Sequence, residues 1–181
     1  MITLAQAIPL RRSIERQIDY LREERMEYAS VTVAKGEKPE FPQRTIEMIT
    51  AELDEARADY LRLSHLIAET NLKKAVEWDG GMISLIEAIE LAKQLREEAS
   101  QCKILGMRKK TEHASASFHG RGRSRHQEGG SDLITVATYD PDAYRELGKK
   151  LERRANLLSG KIEAANHSIA IDFDAARYMG E

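Results

Sequence analysis

The residues best equipped for chemistry lie in one stretch, "KKTEHASASFHGRGRSRHQEGGSD", residues 109–132. It holds His113, His119 and His126, three of the five histidines, and an alternating run of Arg121, Arg123 and Arg125. Histidines clamp metals, but steps of six and seven residues in a Gly-rich segment match no standard zinc spacing. Arginines alternating with small residues suit a flexible arm laid along phosphates. From Arg108 to His126 there are six Lys or Arg against one acidic residue, with Lys109 and Lys110 at the start. Phe118 is the one stacking ring, so base readout would be poor. The composition predicts a mobile, dispensable loop over residues 109–131, with Arg121, Arg123, Arg125, Lys109 and Lys110 as candidate contacts for a polyanion or another partner.

Other chemistries have thinner support. Two-metal helical bundles need Glu-x-x-His on two helices, and this chain has none. Glu163 and His167, four residues apart, share a helix face and read as a helix-end contact. Cys102 falls on an apolar seam, where cysteine acts as a small hydrophobe. The chain has neither a Gly-x-Ser-x-Gly elbow nor a Gly-x-x-x-x-Gly-Lys phosphate loop. The expectation is no catalytic residue, no metal and no cofactor.

Four helical segments must position whatever site exists. Thr3 to Gln6 reads as a capping box, opening a helix over residues 3–30. Its seam reads Leu4, Ala7, Arg11, Ile14, Ile18, Leu21, Arg25 and Tyr28, with Arg11 and Arg25 as polar interruptions that set register. Pro9 either kinks the first turns or marks where the regular helix starts. Residues 33–43, "VAKGEKPEFPQ", break it, and Pro42 fits the first turn of the next helix. That helix has the cleanest heptad seam: Ile46, Ile49, Leu53, Ala56, Tyr60, Leu63, Ile67 and Thr70. Two long helices joined by a short Pro-containing turn should pack antiparallel. Asn71 reads as a cap at its end, as does Asn166 on the last helix.

Asp79-Gly80 signals a hairpin. Ser84 to Glu87 is a second capping box, starting a third helix with Leu85, Ala88, Ala92, Leu95, Ala99 and Cys102 on one face. Small residues dominate that seam, so a neighbouring backbone can come close; Gly106 weakens or ends the helix. Residues 132–139, "DLITVATY", read as a strand. Asp140-Pro141 is an N-cap followed by a first-turn proline. The fourth helix carries Leu147, Leu151, Ala155, Leu158, Ile162 and Ala165, with Arg154 at a buried-looking position. "SIAIDFD" then alternates as a short strand, to pair with residues 132–139 or with the Asp79-Gly80 hairpin.

Composition sets the outer limits. The 181 residues carry 28 Lys or Arg, 30 Asp or Glu and a net charge of -2, so any attraction to nucleic acid or a membrane must be local. One cysteine, no signal-peptide pattern and no apolar run of membrane length favour the reducing cytoplasm.

"LAQAIPLRRSIERQI", "GEKP" (Gly36 to Pro39), "IAETN" (Ile67 to Asn71), "DGGMISLIEAI" (Asp79 to Ile89) and "IEAAN" (Ile162 to Asn166) together resemble the septicolysin-like family of small bacterial helical proteins of uncertain function. Ala92-Lys93 and His167 stand where that family carries an Arg-Asp pair and a Trp. The resemblance implies a helical-hairpin or ferritin-like bundle that oligomerises. It brings no catalytic residues, and its name suggests membrane lysis as a further reading.

The sequence thus predicts an all-α single domain over 1–181. It would be a bundle of two long antiparallel helical hairpins, ferritin-like or coiled-coil-like, with short β pieces near the helix ends. The expected function is a non-enzymatic, homo-oligomeric scaffold or adaptor of the bacterial cytoplasm that binds a protein partner. Nucleic-acid binding through residues 108–126 is the alternative, and membrane activity a more distant one. Ile46, Ile49, Leu53, Tyr60, Leu63 and Ile67 are the expected bundle or oligomer seam.

Overall fold

A computed structural model describes residues 1–113 and 134–178. Mostly helical, it contains β1 (Ile2–Thr3), α1 (Leu4–Glu27), α2 (Ile46–Lys73), β2 (Ala75–Trp78), β3 (Gly81–Ser84), α3 (Leu85–Met107), β4 (Thr111–His113), β5 (Ile134–Val136), α4 (Pro141–Ser168) and β6 (Ala170–Ile171), then a 3₁₀ turn at Ala176–Tyr178. The contacts divide into two compact units, residues 1–88 with 160–181, and residues 89–159.

In the first unit the local signals act where the sequence puts them. The Thr3 hydroxyl accepts from the Gln6 N–H at 3.2 Å, and the Gln6 amide oxygen accepts from the Thr3 N–H at 2.9 Å. This box fixes the start of α1 at Leu4, so Pro9 lies inside the helix. The α2 helix starts at Ile46 behind Thr45, and Pro42 stays in the connection. It runs to Lys73, so Asn71 sits in its last turn without capping it, as Asn166 does in α4. α1 and α2 pack on each other as a hairpin. Ile49, Leu53, Ala56, Leu63 and Ile67 are buried, while Ile46 and Tyr60 are half-buried.

The seam of α1 is shifted from the expected one. Leu4, Ala7, Leu10, Ile14, Ile18, Leu21 and Glu24 are buried, and Arg11 and Arg25 lie beside the seam rather than on it. Both phases keep three- and four-residue steps; Leu10 buries more apolar area than Arg11, and its phase wins.

Short strands tie the ends. Asp79 (φ 48°) and Gly80 (φ 80°) form the two-residue turn between β2 and β3, the left-handed pair that suits a tight hairpin. β6 pairs antiparallel with β1, Ile2 opposite Ile171, and not with either strand suggested by sequence. The Leu4 N–H also donates to the Ile169 carbonyl at 2.9 Å, so the α1 N-terminus and the chain after α4 share one ladder. Ser84 closes the second capping box, its hydroxyl donating to Glu87 at 2.7 Å.

In the second unit, α3 and α4 run antiparallel. Lys103 pairs with Glu152 at 2.9 Å, Arg96 bonds Ser159, and Arg145 reaches Gly106, so partner numbers fall as α3 advances. Ala92, Ala99 and Gly106 on α3, like Pro141, Gly148 and Ala155 on α4, recur every seven residues and are all buried. A methyl on Gly148 would lie 3.3 Å from the Ala99 carbonyl oxygen, and one on Gly106 would lie 2.8 Å from Arg145 Cα. The backbones therefore touch, and Gly106 is a contact residue inside α3 rather than its terminator. On α4, Gly148 occupies the seam and the expected Leu147 is exposed.

β4 pairs with β5, so Thr111–His113 belong to a strand and not to the predicted loop. The Ala137 N–H extends the ladder, donating to the Lys110 carbonyl at 2.9 Å. Asp140 caps α4, its Oδ1 accepting from the Asp142 N–H at 3.0 Å.

Gly106→Ala should cost about 1–3 kcal/mol, because the added methyl meets backbone that cannot rotate away. Gly160→Ala, with nothing within 4 Å of the new methyl, should instead stabilise by about 0.5–1 kcal/mol through helix propensity. Denaturant unfolding of both variants checks the contrast.

Candidate functional site

Of the basic stretch, Arg108 to His113 lie among the described residues. Arg121, Arg123 and Arg125, with His119 and His126, lie outside the described residues. Lys109 and Lys110 are exposed. The Lys109 N–H donates to Glu112 at 3.0 Å, and Lys110 Nζ donates to the Tyr139 carbonyl at 2.6 Å. Lys109, with Arg108, Thr135 and Val136, lines a cleft of about 130 Å³. Lys110 is thus partly spent on holding the chain that enters α4.

Other reactive groups are quenched. Cys102 is fully buried, and burial, helped by the neighbouring Glu98 carboxylate, pushes its thiol pKa up, so it stays protonated. Glu163 and His167 are both exposed. Among the described residues, no group of three or more His, Cys, Asp or Glu is placed to hold a metal ion. No helix among them is long and apolar enough to cross a membrane.

A concave surface lies on the α1/α2 hairpin. Ile18, Tyr60 and Leu61 form its apolar floor; Glu15, Asp19 and Arg22 on α1 and Arg57 on α2 rim it. The groove encloses about 320 Å³, and Leu61 is 68% exposed. Its charged rim is loosely committed: Arg22 pairs with Asp19 at 2.9 Å and Arg57 with Asp54 at 3.1 Å, both within a single helix turn. Exposed pairs of this kind contribute only about 0.3–0.5 kcal/mol each, so they exchange partners readily. Tyr60, expected as a seam residue, is thereby a groove residue as well.

Two polar clusters brace the hairpin. Near the α1–α2 connection, Arg44 bridges the buried Glu24, at 3.3 Å, and Glu52. Glu24 Oε2 and Arg44 Nε are buried without a hydrogen-bond partner, so the pair confers position at a desolvation cost. Sequence reading placed Arg25 on the seam and missed Glu24; the three-residue steps Leu21 to Glu24 and Ala7 to Leu10 were the available signal. At the other cluster, Phe173 and Ala175 are buried, and Arg177 pairs with Glu55 and reaches Asp59 at 3.8 Å. Tyr178 Oη donates to Asp59 at 2.7 Å. Burial first, then the Asp59 acceptor and its charge, raises the Tyr178 pKa to about 12. Nothing local announces this strap, because its partners on α2 are more than a hundred residues away in sequence.

No family model matches the sequence, and no curated protein matches it. Among solved structures, the fold is similar to the crystal structure of a functionally unknown conserved protein from Corynebacterium diphtheriae, with a TM-score of 0.60 and 17% identity. The match covers 94% of this chain and 99% of the other. At that identity the likeness is one of fold alone.

Arg44→Met should destabilise by about 1–3 kcal/mol, because it strands a buried carboxylate. Adding Glu24→Leu should recover most of the loss, and a double-mutant unfolding cycle reads the coupling. Tyr178 is neutral in the fold to higher pH than in the unfolded chain, where its pKa is near 10. Its contribution is therefore complete below pH ~10 and is lost as pH rises through about 12. A tyrosinate absorbance titration should show a late-ionising phenol, and Tyr178→Phe should remove that step.

Proposed function

We propose that this chain is a non-enzymatic, self-assembling scaffold or adaptor of the bacterial cytoplasm, built on two helical hairpins. The observation that carries this reading is the α1/α2 groove, an apolar floor left open to water between two helices and rimmed by weakly committed charges. Leu72, 66% exposed, continues the exposed apolar edge of α2 from Leu61 at a helical spacing. The protonated Cys102 thiol and the ion-paired Glu24 fit a protein that works by contact rather than by bond making. The septicolysin-like resemblance, with its oligomerising helical hairpins, agrees with this reading.

A second reading, nucleic-acid binding, draws on the exposed Arg108 and Lys109 beside the β4–β5 ladder. It predicts a salt-sensitive shift of random-sequence DNA or RNA, which weakens as counterions compete for the phosphates.

Light scattering at micromolar concentration should return a mass at least twice that of the 20.5 kDa chain. A strict monomer sinks the scaffold reading, and a salt-independent lack of polyanion binding sinks the second.

A further inference from the structure

We propose that the outer edge of β5 pairs antiparallel with β5 of a second copy, about a two-fold axis through Thr135. This rests on the self-assembly reading and supplies its interface.

Hydrogen-bond parity sets which groups β5 offers. Ala137 stands opposite Lys110, and its N–H donates to the Lys110 carbonyl at 2.9 Å. Bonded and non-bonded residues alternate along an antiparallel pair, so Thr135 also bonds toward β4. The N–H and C=O of Ile134 and Val136 therefore point away from β4. Among the described residues nothing takes them up. The Ile134 and Val136 side chains share one face of the ladder and are 55% and 52% exposed.

The two edges of this ladder differ. The β4 side, Lys109 to His113, carries two lysines, a glutamate and a histidine, and the Glu112 carboxylate accepts from the Lys109 N–H at 3.0 Å. Charged side chains of this kind keep an edge strand from pairing. Residues 134–138, Ile-Thr-Val-Ala-Thr, hold no charge, proline or glycine, and all but Ala137 are β-branched. An uncharged window of this composition pairs readily with its own copy. Two strands are also too few to stand alone in water, where three or more with an apolar face are needed.

A second copy is the occupant that fits this asymmetry. Turned about Thr135, Ile134 of each copy faces Val136 of the other. Every outward N–H at these positions then meets an outward carbonyl. Their apolar side chains gather on one face as cross-strand neighbours. The joined sheet runs β4–β5–β5–β4, with the charged strand at both outer edges, so pairing stops at two copies. An unrelated extended peptide would leave its own far edge open. The surface is self-complementary, as an isologous dimer requires.

The test is sedimentation equilibrium of the full chain, with disulfide trapping of the register and helical content checked by circular dichroism. Val136→Pro removes an outward N–H and leaves the β4 ladder its bonds, a place where an edge strand accepts proline. It should weaken dimerisation roughly tenfold or more. Thr135→Cys puts two thiols at a non-hydrogen-bonded pair, with Cα atoms about 4.5 Å apart, so mild oxidation should link two chains. Thr138→Cys, three residues from the axis on each strand, sets its thiols roughly 20 Å apart and should not link. A Val136→Pro chain that folds and dimerises like the parent overturns this interface. So does a Thr135→Cys chain that links no better than Thr138→Cys, whether or not the proline variant folds. A parent chain that still assembles then leaves self-assembly standing through another surface. A monomeric parent overturns both.

Discussion

A helix in a hairpin has one close neighbour, and burying an apolar stripe against a single neighbour is the constraint on which this structure turns. The two hairpins meet it differently. Between α3 and α4 the contact residues are Ala, Gly and Pro at seven-residue intervals, and the backbones close until Gly106 touches Arg145 and Gly148 touches Ala99. Dispersion between close-packed backbones stands in for bulky interdigitating side chains. Between α1 and α2 the contact residues are mostly Leu and Ile, with Ala7 and Ala56 among them, and a groove opens along one flank.

That difference explains where the polar devices lie. Tight α3/α4 packing leaves room for side chains that reach across to satisfy helix ends. Arg145 donates twice to the Gly106 carbonyl, at 3.1 and 2.7 Å, and Tyr139 donates to the Leu105 carbonyl at 3.0 Å. Both answer the unpaired carbonyls that every helix C-terminus exposes. The α1/α2 pair instead relies on Arg44 with two glutamates near the connection and on the Phe173–Tyr178 strap against Glu55 and Asp59. The groove lies along the same stretch of α2 as the strap, and its two arginines pair within their own helices. An open apolar floor with exchangeable charges is suited to contact with another macromolecule.

The sequence by itself determined every feature whose signal lies within a few residues. The capping boxes at Thr3 and Ser84 and the Asp140 cap appear as read, because each is a hydrogen bond across two or three residues. The Asp79-Gly80 turn follows from two adjacent residues that tolerate positive φ. The α3 seam was legible because only one phase of its three- and four-residue steps is apolar.

Tertiary structure decided whatever depends on a distant partner. In α1 and α4 two phases of the pattern were equally regular, and burial chose Glu24 over Arg25 and Gly148 over Leu147. A buried carboxylate is affordable only because Arg44 arrives from the connection, and a buried glycine is favourable only because Ala99 lies 3.3 Å from where its side chain would be. The β1–β6 ladder and the strap join residues at opposite ends of the chain, and two- or three-residue strands carry too little pattern to name their partners. The groove is likewise invisible in one dimension: Ile18, Tyr60 and Leu61 read as ordinary helix residues, and only the spacing of two packed helices makes them a surface.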